Sequence, residues 1–343
     1  MSHLDEREQQ LQRINRIFHG YTSARTLMTA VQLGIFTIIA QGNHSAEEIT
    51  KAVDAASSRG VVKLLDALVG LEFLKKEKPN YYELVPCSAR FLVQSSPEYV
   101  GAMHENDDHW NAWSHLNQVI KTGRPWMNVD QANKAEEFFP QLVKSLHQMS
   151  LGRARRLADQ LLQQQQQNIT ESWQILDVAC GSAVWSIPLA EKSKNVMVTA
   201  QDFPKVLQLT KTYVQHHGVE QQYKYLSGDL NAVDFGENTY DLVLLGNIVH
   251  SEGAESSQRL FGRLSKALKK KGGRVVVIDM FPNNERTGPA YPLLFALNML
   301  VNTTQGDTFT LEEYTRWFQQ ANIPHVSMME IDPEFSVIVA QVD

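Results

Sequence analysis

The sequence predicts an α/β protein, with a doubly wound, mostly parallel sheet in its C-terminal half and a mainly α domain with a short β wing before it. Three observations carry this reading. From residue 173 onward, short β-branched apolar runs alternate with helical stretches, the rhythm of βαβ units in a parallel sheet covered on both faces. Before residue 95, apolar residues recur at helical spacing, and strand signals are confined to one ribbon around Pro79-Asn80. The composition is ordinary for a globular chain, 43% hydrophobic and 20% charged over 343 residues, long enough for two domains at about 100–200 residues each.

The elements follow in order. RINRIFHGYTSARTLMTAVQLGIFTII has helical spacing, and Ser45 followed by Glu48 has the spacing of a capping box that opens the next helix. SSRGVVKLLDALVGLEFLKKE places Val61, Leu64, Leu65, Leu68 and Leu71 on one helical face. FLKKEKPNYYELV then reads as a hairpin, completing a winged-helix outline over residues 1–95. Residues 96–165 form a helical bridge rich in Trp, His and Met, ending in a glutamine tract read as a solvated helix end or linker. In 166–343, WQILDVA, VMVTAQD, YKYLSGD, DLVLLGN and RVVVIDM read as parallel strands. IPLAEKSK, PKVLQLTKTYVQHHG and SSQRLFGRLSKALKKK read as the helices between them. HVSMMEID and FSVIVAQVD, separated by Pro333 and Glu334, must close the sheet as an antiparallel pair.

Charge and composition exclude several classes. Lys+Arg minus Asp+Glu is 32 − 38 = −6, and the first hundred residues carry 11 basic and 11 acidic side chains. A DNA-reading winged helix carries a basic excess on its contact face, so no nucleic-acid partner is expected. No apolar run approaches the roughly 20 residues of a membrane span, and the polar, acidic start does not resemble a secretory signal. No membrane partner and a cytoplasmic location are the expectations. Cys87 and Cys180 make neither a disulfide scaffold nor a structural zinc site. His104 and His109 with Asp107 and Asp108 are close in sequence. However, histidines five apart do not share a helix face and no third ligand is evident, so no metal is expected.

The chemistry lies at the strand ends. In doubly wound sheets, ligands bind outside the carboxyl ends of the strands, at the point where strand order reverses. ILDVACGSAVWS (175–186) sits where the first strand meets the first helix, with small Ala179, Gly181 and Ala183 at alternate positions. Asp202, in VTAQDFP, ends the second strand where a carboxylate accepts hydrogen bonds from ribose hydroxyls. Asp229, in SGDL, ends the third near where an adenine amino group would lie, and GNIVHSE places polar groups directly after the fourth.

These motifs together resemble the class I S-adenosylmethionine-dependent methyltransferases. Over residues 15–343 they resemble the acetylserotonin, caffeate and hydroxyneurosporene O-methyltransferases. ILDVACGSA stands in the place of LDVGGGTG, DFP in that of an acid followed by Leu-Pro, and GDL in that of Gly-Asp-Met. NIVHSE matches the strand-four motif, and SKALKKKGGRVVVID matches ALKPGGRLLIVE. GYTSARTLMTAVQLGIFTII resembles the family's dimerisation domain, a winged helix that here does not bind DNA. The resemblance implies a Rossmann-like seven-stranded methyltransferase sheet, S-adenosylmethionine as methyl donor, a small-molecule acceptor and a homodimer through the N-terminal domain.

The resemblance also assigns roles. Asp177, Ala179, Gly181 and Asn247 would line the methyl donor, Asp202 its ribose and Asp229 its adenine, with Phe203 and Leu230 on the adenine faces. Met149, 28 residues before Asp177, stands where the family's Met touches the donor. His104, Trp110 and Trp113 are candidates for the acceptor pocket. His250 would be the general base, and Asp279, where the family carries Glu, would orient it with a shorter arm, water being one way to span the gap. Glu252 is a less favoured alternative. There are departures: alanines replace two loop glycines and Cys180 a third, Gly246 stands where plant members carry Lys, and Thr308 where they carry a second acid. Transfer to O rather than N, S or C, diversion to decarboxylation, hydroxylation or pericyclic chemistry, and a ligand-sensing winged-helix regulator stay open at this stage.

Overall fold

A computed structural model describes residues 3–129, 132–165 and 172–343, with side chains over 5–129, 142–164 and 172–343. Between His109 and Trp110 the chain divides into two compact units.

In the N-terminal unit, the long helix α1 (His3–Gln32) is followed by α2 (Ile35–Ala40), α3 (Ala46–Ala52) and α4 (Ser58–Gly70). The hairpin β1 (Leu74–Lys78) and β2 (Tyr81–Leu84) comes next, then α5 (Pro86–Phe91) and a 3₁₀ turn at Gly101–His104. The capping box at the start of α3 is complete: Ser45 accepts the Glu48 N–H, and Glu48 accepts the Ser45 N–H in return. On α4 the buried face is Val61, Leu65 and Leu68, while Leu64 and the C-cap Leu71 are half-buried. Ala30, Ile35, Phe36, Ile39 and Tyr82 fill the same core. The earlier part of α1 makes no such core: Leu11, Ile14, Ile17, Phe18 and Tyr21 are 42–77% exposed. Spaced three and four apart, they line one stripe of the helix.

Helix α6 (Asp108–Ser114) spans the division, and α7 (Leu116–Thr122) and α8 (Ala132–Gln165) follow in the C-terminal unit. The glutamine tract continues α8 to Gln165; its remainder lies outside the described residues. Then come β3 (Trp173–Val178), α9 (Ile187–Lys192), β4 (Val196–Asp202), α10 (Pro204–His216), β5 (Tyr223–Ser227), β6 (Leu242–Gly246) and α11 (Val249–Ala267). The chain closes with β7 (Arg274–Ile278), α12 (Ala290–Asn302), α13 (Leu311–Gln320), β8 (His325–Asp332) and β9 (Phe335–Gln341). Helix α11 starts ahead of the sequence expectation, because its first turn is a separate piece: Gly253, at φ 76° and ψ 169°, breaks the helix.

The seven strands lie in the order β5-β4-β3-β6-β7-β9-β8. β3 to β7 are parallel, and β9 is antiparallel to both β7 and β8, as the short Pro333 turn requires. Strand residues alternate between two cores. Ile175, Val198, Leu244 and Val276 pack with α8, α9 and α10, whereas Leu176, Val243, Leu245 and Val277 pack with α11 and α13. The sheet is therefore covered on both faces. The strand order reverses between β3 and β6, and the loops that follow them build the site.

Candidate active site

β3 is apolar except for Gln174 and Asp177. The Asp177 carboxyl is buried, and its Oδ2 accepts the Ser186 hydroxyl at 2.5 Å, which itself accepts Tyr223 O–H at 3.0 Å. Its Oδ1 is buried with no partner among the described residues. Burial pushes the Asp177 carboxyl up to about 7; the Ser186 bond opposes this and the nearby Asp202 charge adds to it.

After β3 the backbone enters the left-handed region at every second residue, with φ 49° at Ala179, 55° at Gly181 and 59° at Ala183. Glycine adopts this conformation freely, whereas each alanine is held there at a cost of about 1–2 kcal/mol. The bonds that hold it come from β4 and α10. Gln201 accepts the Ala179 N–H on its side chain at 3.1 Å and the Cys180 N–H on its carbonyl at 2.9 Å. Asp202 Oδ2 accepts the Gly181 N–H at 2.8 Å, and the Thr210 hydroxyl donates to the Gly181 carbonyl at 2.6 Å. A Cβ at Gly181 would also lie 3.3 Å from Val143 of α8.

Asp202 ends β4. Its Oδ1 accepts the Phe203 N–H at 2.7 Å as α10 begins. Burial pushes its carboxyl up to about 6, against the pull of the Gly181 and Phe203 N–H groups. A carboxylate has about four lone-pair sites, so it keeps capacity for two hydroxyl donors. Phe203 beside it is half-buried. After β5, Asp229 is exposed and its side chain accepts the Asn231 N–H at 2.8 Å, shaping the turn, while Leu230 is 7% exposed and packs in the core beside β6. After β6, Asn247 takes φ 57° and donates its N–H to the Ile278 carbonyl at 2.8 Å. Gly246 is explained by its neighbour: a Cβ there would collide with the Trp185 ring, so no lysine fits. Met149, on α8, is 62% exposed.

His250 lies in the separate first turn of α11, and Asp279 follows β7 directly. His250 Nδ1 is 2.7 Å from Asp279 Oδ1, and its backbone N–H donates to Asp279 Oδ2 at 3.2 Å. The contact is direct, so the shorter acid needs no bridging water. Asp279 is 2% and His250 10% exposed. A carboxylate at Nδ1 fixes the proton on that nitrogen and leaves Nε2 as an acceptor. Phe295 of α12 meets the imidazole edge to face, centroids 4.9 Å apart. Gly306 and Asp307 wrap the backbone: Asp307 N–H donates to the His250 carbonyl at 2.9 Å, and a Cβ at Gly306 would lie 2.7 Å from that oxygen. Thr308 is buried and donates to the Pro292 carbonyl at 3.2 Å. Glu252 is engaged elsewhere, accepting from Asn231 at 2.9 Å and Ser256 at 2.7 Å.

The acceptor-pocket candidates fall in different units. His104 belongs to the N-terminal one, where its ring meets His109 edge-on at 6.4 Å and burial lowers the pKa of both. Trp110 and Trp113 belong to the C-terminal unit, where Trp113 Nε1–H donates to Asn298 of α12 at 3.0 Å. No group of three or more His, Cys, Asp or Glu among the described residues is placed to hold a metal. Sequence reasoning missed Gln201, whose amide also donates to the Gly228 carbonyl at 2.6 Å and so ties the first loop to the third. Its signal was a polar residue directly before Asp202 at the carboxyl end of the strand VMVTAQD. Phe295 and Trp185 gave no such signal, since an aromatic in an apolar run reads as core.

Comparison with known proteins fits this geometry. The O-methyltransferase dimerisation domain family matches residues 15–94, and the O-methyltransferase domain family matches residues 113–323. The chain is 23% identical to the S-adenosyl-L-methionine-dependent methyl transferase PigF of Serratia sp., over 94% of this chain and 93% of the relative. It is 25% identical to the 3-hydroxy-5-methyl-1-naphthoate 3-O-methyltransferase of Streptomyces sahachiroi, over 90% and 88%. The crystal structure of human N-acetylserotonin methyltransferase in complex with S-adenosylmethionine shares the fold at TM-score 0.81 and 22% identity, covering 97% and 98% of the two chains. With more than half of its length matched by one catalytic domain family, the chain belongs to the O-methyltransferase family and is an S-adenosylmethionine-dependent methyltransferase.

Proposed function

We propose that the enzyme methylates a hydroxyl of a small molecule, with His250 as general base and Asp279 as the group that orients it. The observation that carries this reading is the 2.7 Å contact between His250 Nδ1 and Asp279 Oδ1 beyond the ends of β6 and β7. The cofactor loop fits its group. Three left-handed residues leave the backbone open to close approach, a Cβ at Gly181 would be strained by its φ of 55° and press to 3.3 Å on Val143, and Asp177 Oδ1 is a buried acceptor without a partner among the described residues. Asp177, Ala179, Gly181, Asp202, Phe203, Asp229, Leu230, Asn247 and Met149 would hold it.

S-adenosylmethionine, when bound, supplies an electrophilic methyl whose departing thioether needs no acid. The protein must therefore orient an acceptor and remove its proton. His250 Nε2 takes the hydroxyl proton as the oxygen becomes the nucleophile. Asp279, charged and buried, stabilises the imidazolium that forms. The low exposure of both side chains keeps water from competing for Nε2. Trp113, bonded to Asn298 of α12, and Trp110 beside it in sequence are proposed to contribute to acceptor binding.

The same reading takes the exposed stripe of α1, from Leu11 to Tyr21, as the contact with a second copy of the chain, giving a homodimer. A nucleic-acid role is not part of it, since the N-terminal hundred residues carry no net charge. No described helix is long and apolar enough to cross a membrane, and a cytoplasmic setting is proposed. The test is methyl transfer to a hydroxyarene panel and to matched aryl amines and thiols, in the parent and in His250→Ala. Loss in the variant confined to hydroxyl acceptors is expected. Equal rates in parent and variant with every acceptor would end the general-base assignment.

A further inference from the structure

The loop after β3 is tethered by Gln201 and Asp202 of β4 and Thr210 of α10, but one further tether comes from α8. His147 is 1% exposed, and its Nδ1 lies 2.8 Å from the hydroxyl of Ser182, itself 3% exposed. Ser182 stands between Gly181 and Ala183, both left-handed. The His147 ring lies nearly flat on Tyr213 of α10, centroids 4.1 Å apart and planes 25° from parallel. One imidazole thus joins α8, α10 and the loop.

An apolar pair would fill this space without desolvating an imidazole and a hydroxyl. What the polar pair adds is direction: the bond selects one Ser182 rotamer and one placement of α8 against the loop. The same helix presents Val143, one turn earlier, to Gly181, and Met149 two residues later. Besides Tyr213, the charged and titratable groups around the ring are His216 of α10, His217 directly after it and Arg155 of α8, with His217 bonded to Glu191 of α9 at 2.7 Å. Burial first, then electrostatic repulsion from His217, His216 and Arg155, lower the His147 pKa to about 4, so the ring is neutral at physiological pH.

We propose that His147 is a positioning residue for the cofactor: acting through Ser182, it fixes the Gly181–Ala183 backbone and the turn of α8 that carries Met149. The inference rests on the reading of this loop as the S-adenosylmethionine site. It predicts that cofactor affinity depends on the hydrogen bond itself, not only on the space the ring fills.

The experiment is calorimetry of the full chain with S-adenosylhomocysteine. Binding by the parent is the control for the loop assignment, and its absence overturns that assignment together with this proposal. His147→Phe keeps a ring on Tyr213 but cannot bond Ser182; Ser182→Ala removes the partner and little else; His147→Asn keeps a nitrogen near the Nδ1 position. His147→Phe and Ser182→Ala are each expected to raise Kd about tenfold, the loss typical of one buried hydrogen bond. His147→Asn should stay within about threefold of the parent, and the double variant should bind no more weakly than either single one. If His147→Phe does not fold, Ser182→Ala carries the test alone. Ser182→Ala binding within about twofold of the parent, His147→Asn as weak as His147→Phe, or additive losses in the double variant would each overturn the proposal.

Discussion

Removing the Asp202 carboxylate separates what that group does for the fold from what it does for the cofactor. It accepts the Gly181 N–H at 2.8 Å and the Phe203 N–H at 2.7 Å. Alanine leaves both donors without their acceptor, at about 1–3 kcal/mol each. Against this, a carboxyl raised to about 6 is ionised at pH 7.5 at a cost of about 3 kcal/mol relative to the unfolded chain, and alanine removes that cost. The two effects oppose each other, so Asp202→Ala should fold with a stability within about 3 kcal/mol of the parent. Cofactor affinity has no compensating gain. Charge-assisted bonds to two ribose hydroxyls are worth about 1.5–3 kcal/mol, so calorimetry with S-adenosylmethionine should show a ten- to hundredfold loss. The pH dependence adds a second signature. Protonation below about 6 weakens the carboxyl as an acceptor, so parent affinity should fall between pH 7.5 and 5.5, while the variant responds less. An unchanged affinity in a folded Asp202→Ala would refute the reasoning and leave Asp202 as a tether for the loop and a cap for α10.

Four further outcomes are expected. Asp279→Asn should lower kcat about ten- to a hundredfold with cofactor affinity nearly unchanged, since it removes the charge opposite the imidazolium. His250→Ala should lower kcat by about 10²–10⁴, and the double variant should be no slower than His250→Ala. Steady-state rates with a hydroxyl acceptor check both, and a near-parent rate for Asp279→Asn rules out the charge-stabilising role. Asp177, raised to about 7, binds its proton more tightly folded than unfolded, so its contribution to stability is present at low pH and is lost as pH rises through about 7. Asp177→Asn should therefore gain stability relative to the parent by roughly 1 kcal/mol per pH unit between pH 5 and 7, and urea melts showing a pH-independent difference would contradict this. Ile17→Glu with Phe18→Glu should shift the protein from dimer to monomer in light scattering, because both side chains are at least 70% exposed on the α1 stripe. An unchanged mass would place the dimer contact elsewhere.

Much of this was legible because strand ends are where a parallel sheet exposes its chemistry. Asp202, His250 and Asp279 each stand at or just beyond the carboxyl end of a strand run, where the sequence marks them as polar groups facing the loops. The antiparallel finish of β8 and β9 was legible because two residues cannot carry a parallel crossover. The bonds were not legible. Nothing in ACGSA shows that two alanines take positive φ, since the Gln201 and Asp202 acceptors that hold them there come from a strand some twenty residues on. The reason for Gly246 was equally hidden, because it is the Trp185 ring from a distant loop that occupies the space. The separate first turn of α11 was not legible because GNIVHSE reads as polar groups after a strand, with the helical pattern starting only at Ser256, beyond Gly253.

The one-sided support of His250 also has a geometric reason. A second carboxylate from the segment after α12 would need to reach the imidazole, but Thr308 in that place is turned to the Pro292 carbonyl at 3.2 Å and is 1% exposed. The edge-on contact that α12 makes with the imidazole comes from Phe295. Position is nevertheless well determined. Asp279 holds the ring through Nδ1 and the backbone through the His250 N–H, while Asp307 holds the His250 carbonyl. Three bonds and one aromatic contact therefore fix the imidazole without the second acid. Asp279 thus has two separable duties: with the Asp307 bond and Phe295 it places the ring, and in the proposed reaction its carboxylate also faces the charge that develops there. That division is why the isosteric loss of charge at Asp279, with its bond to the ring retained, is expected to appear in kcat rather than in binding.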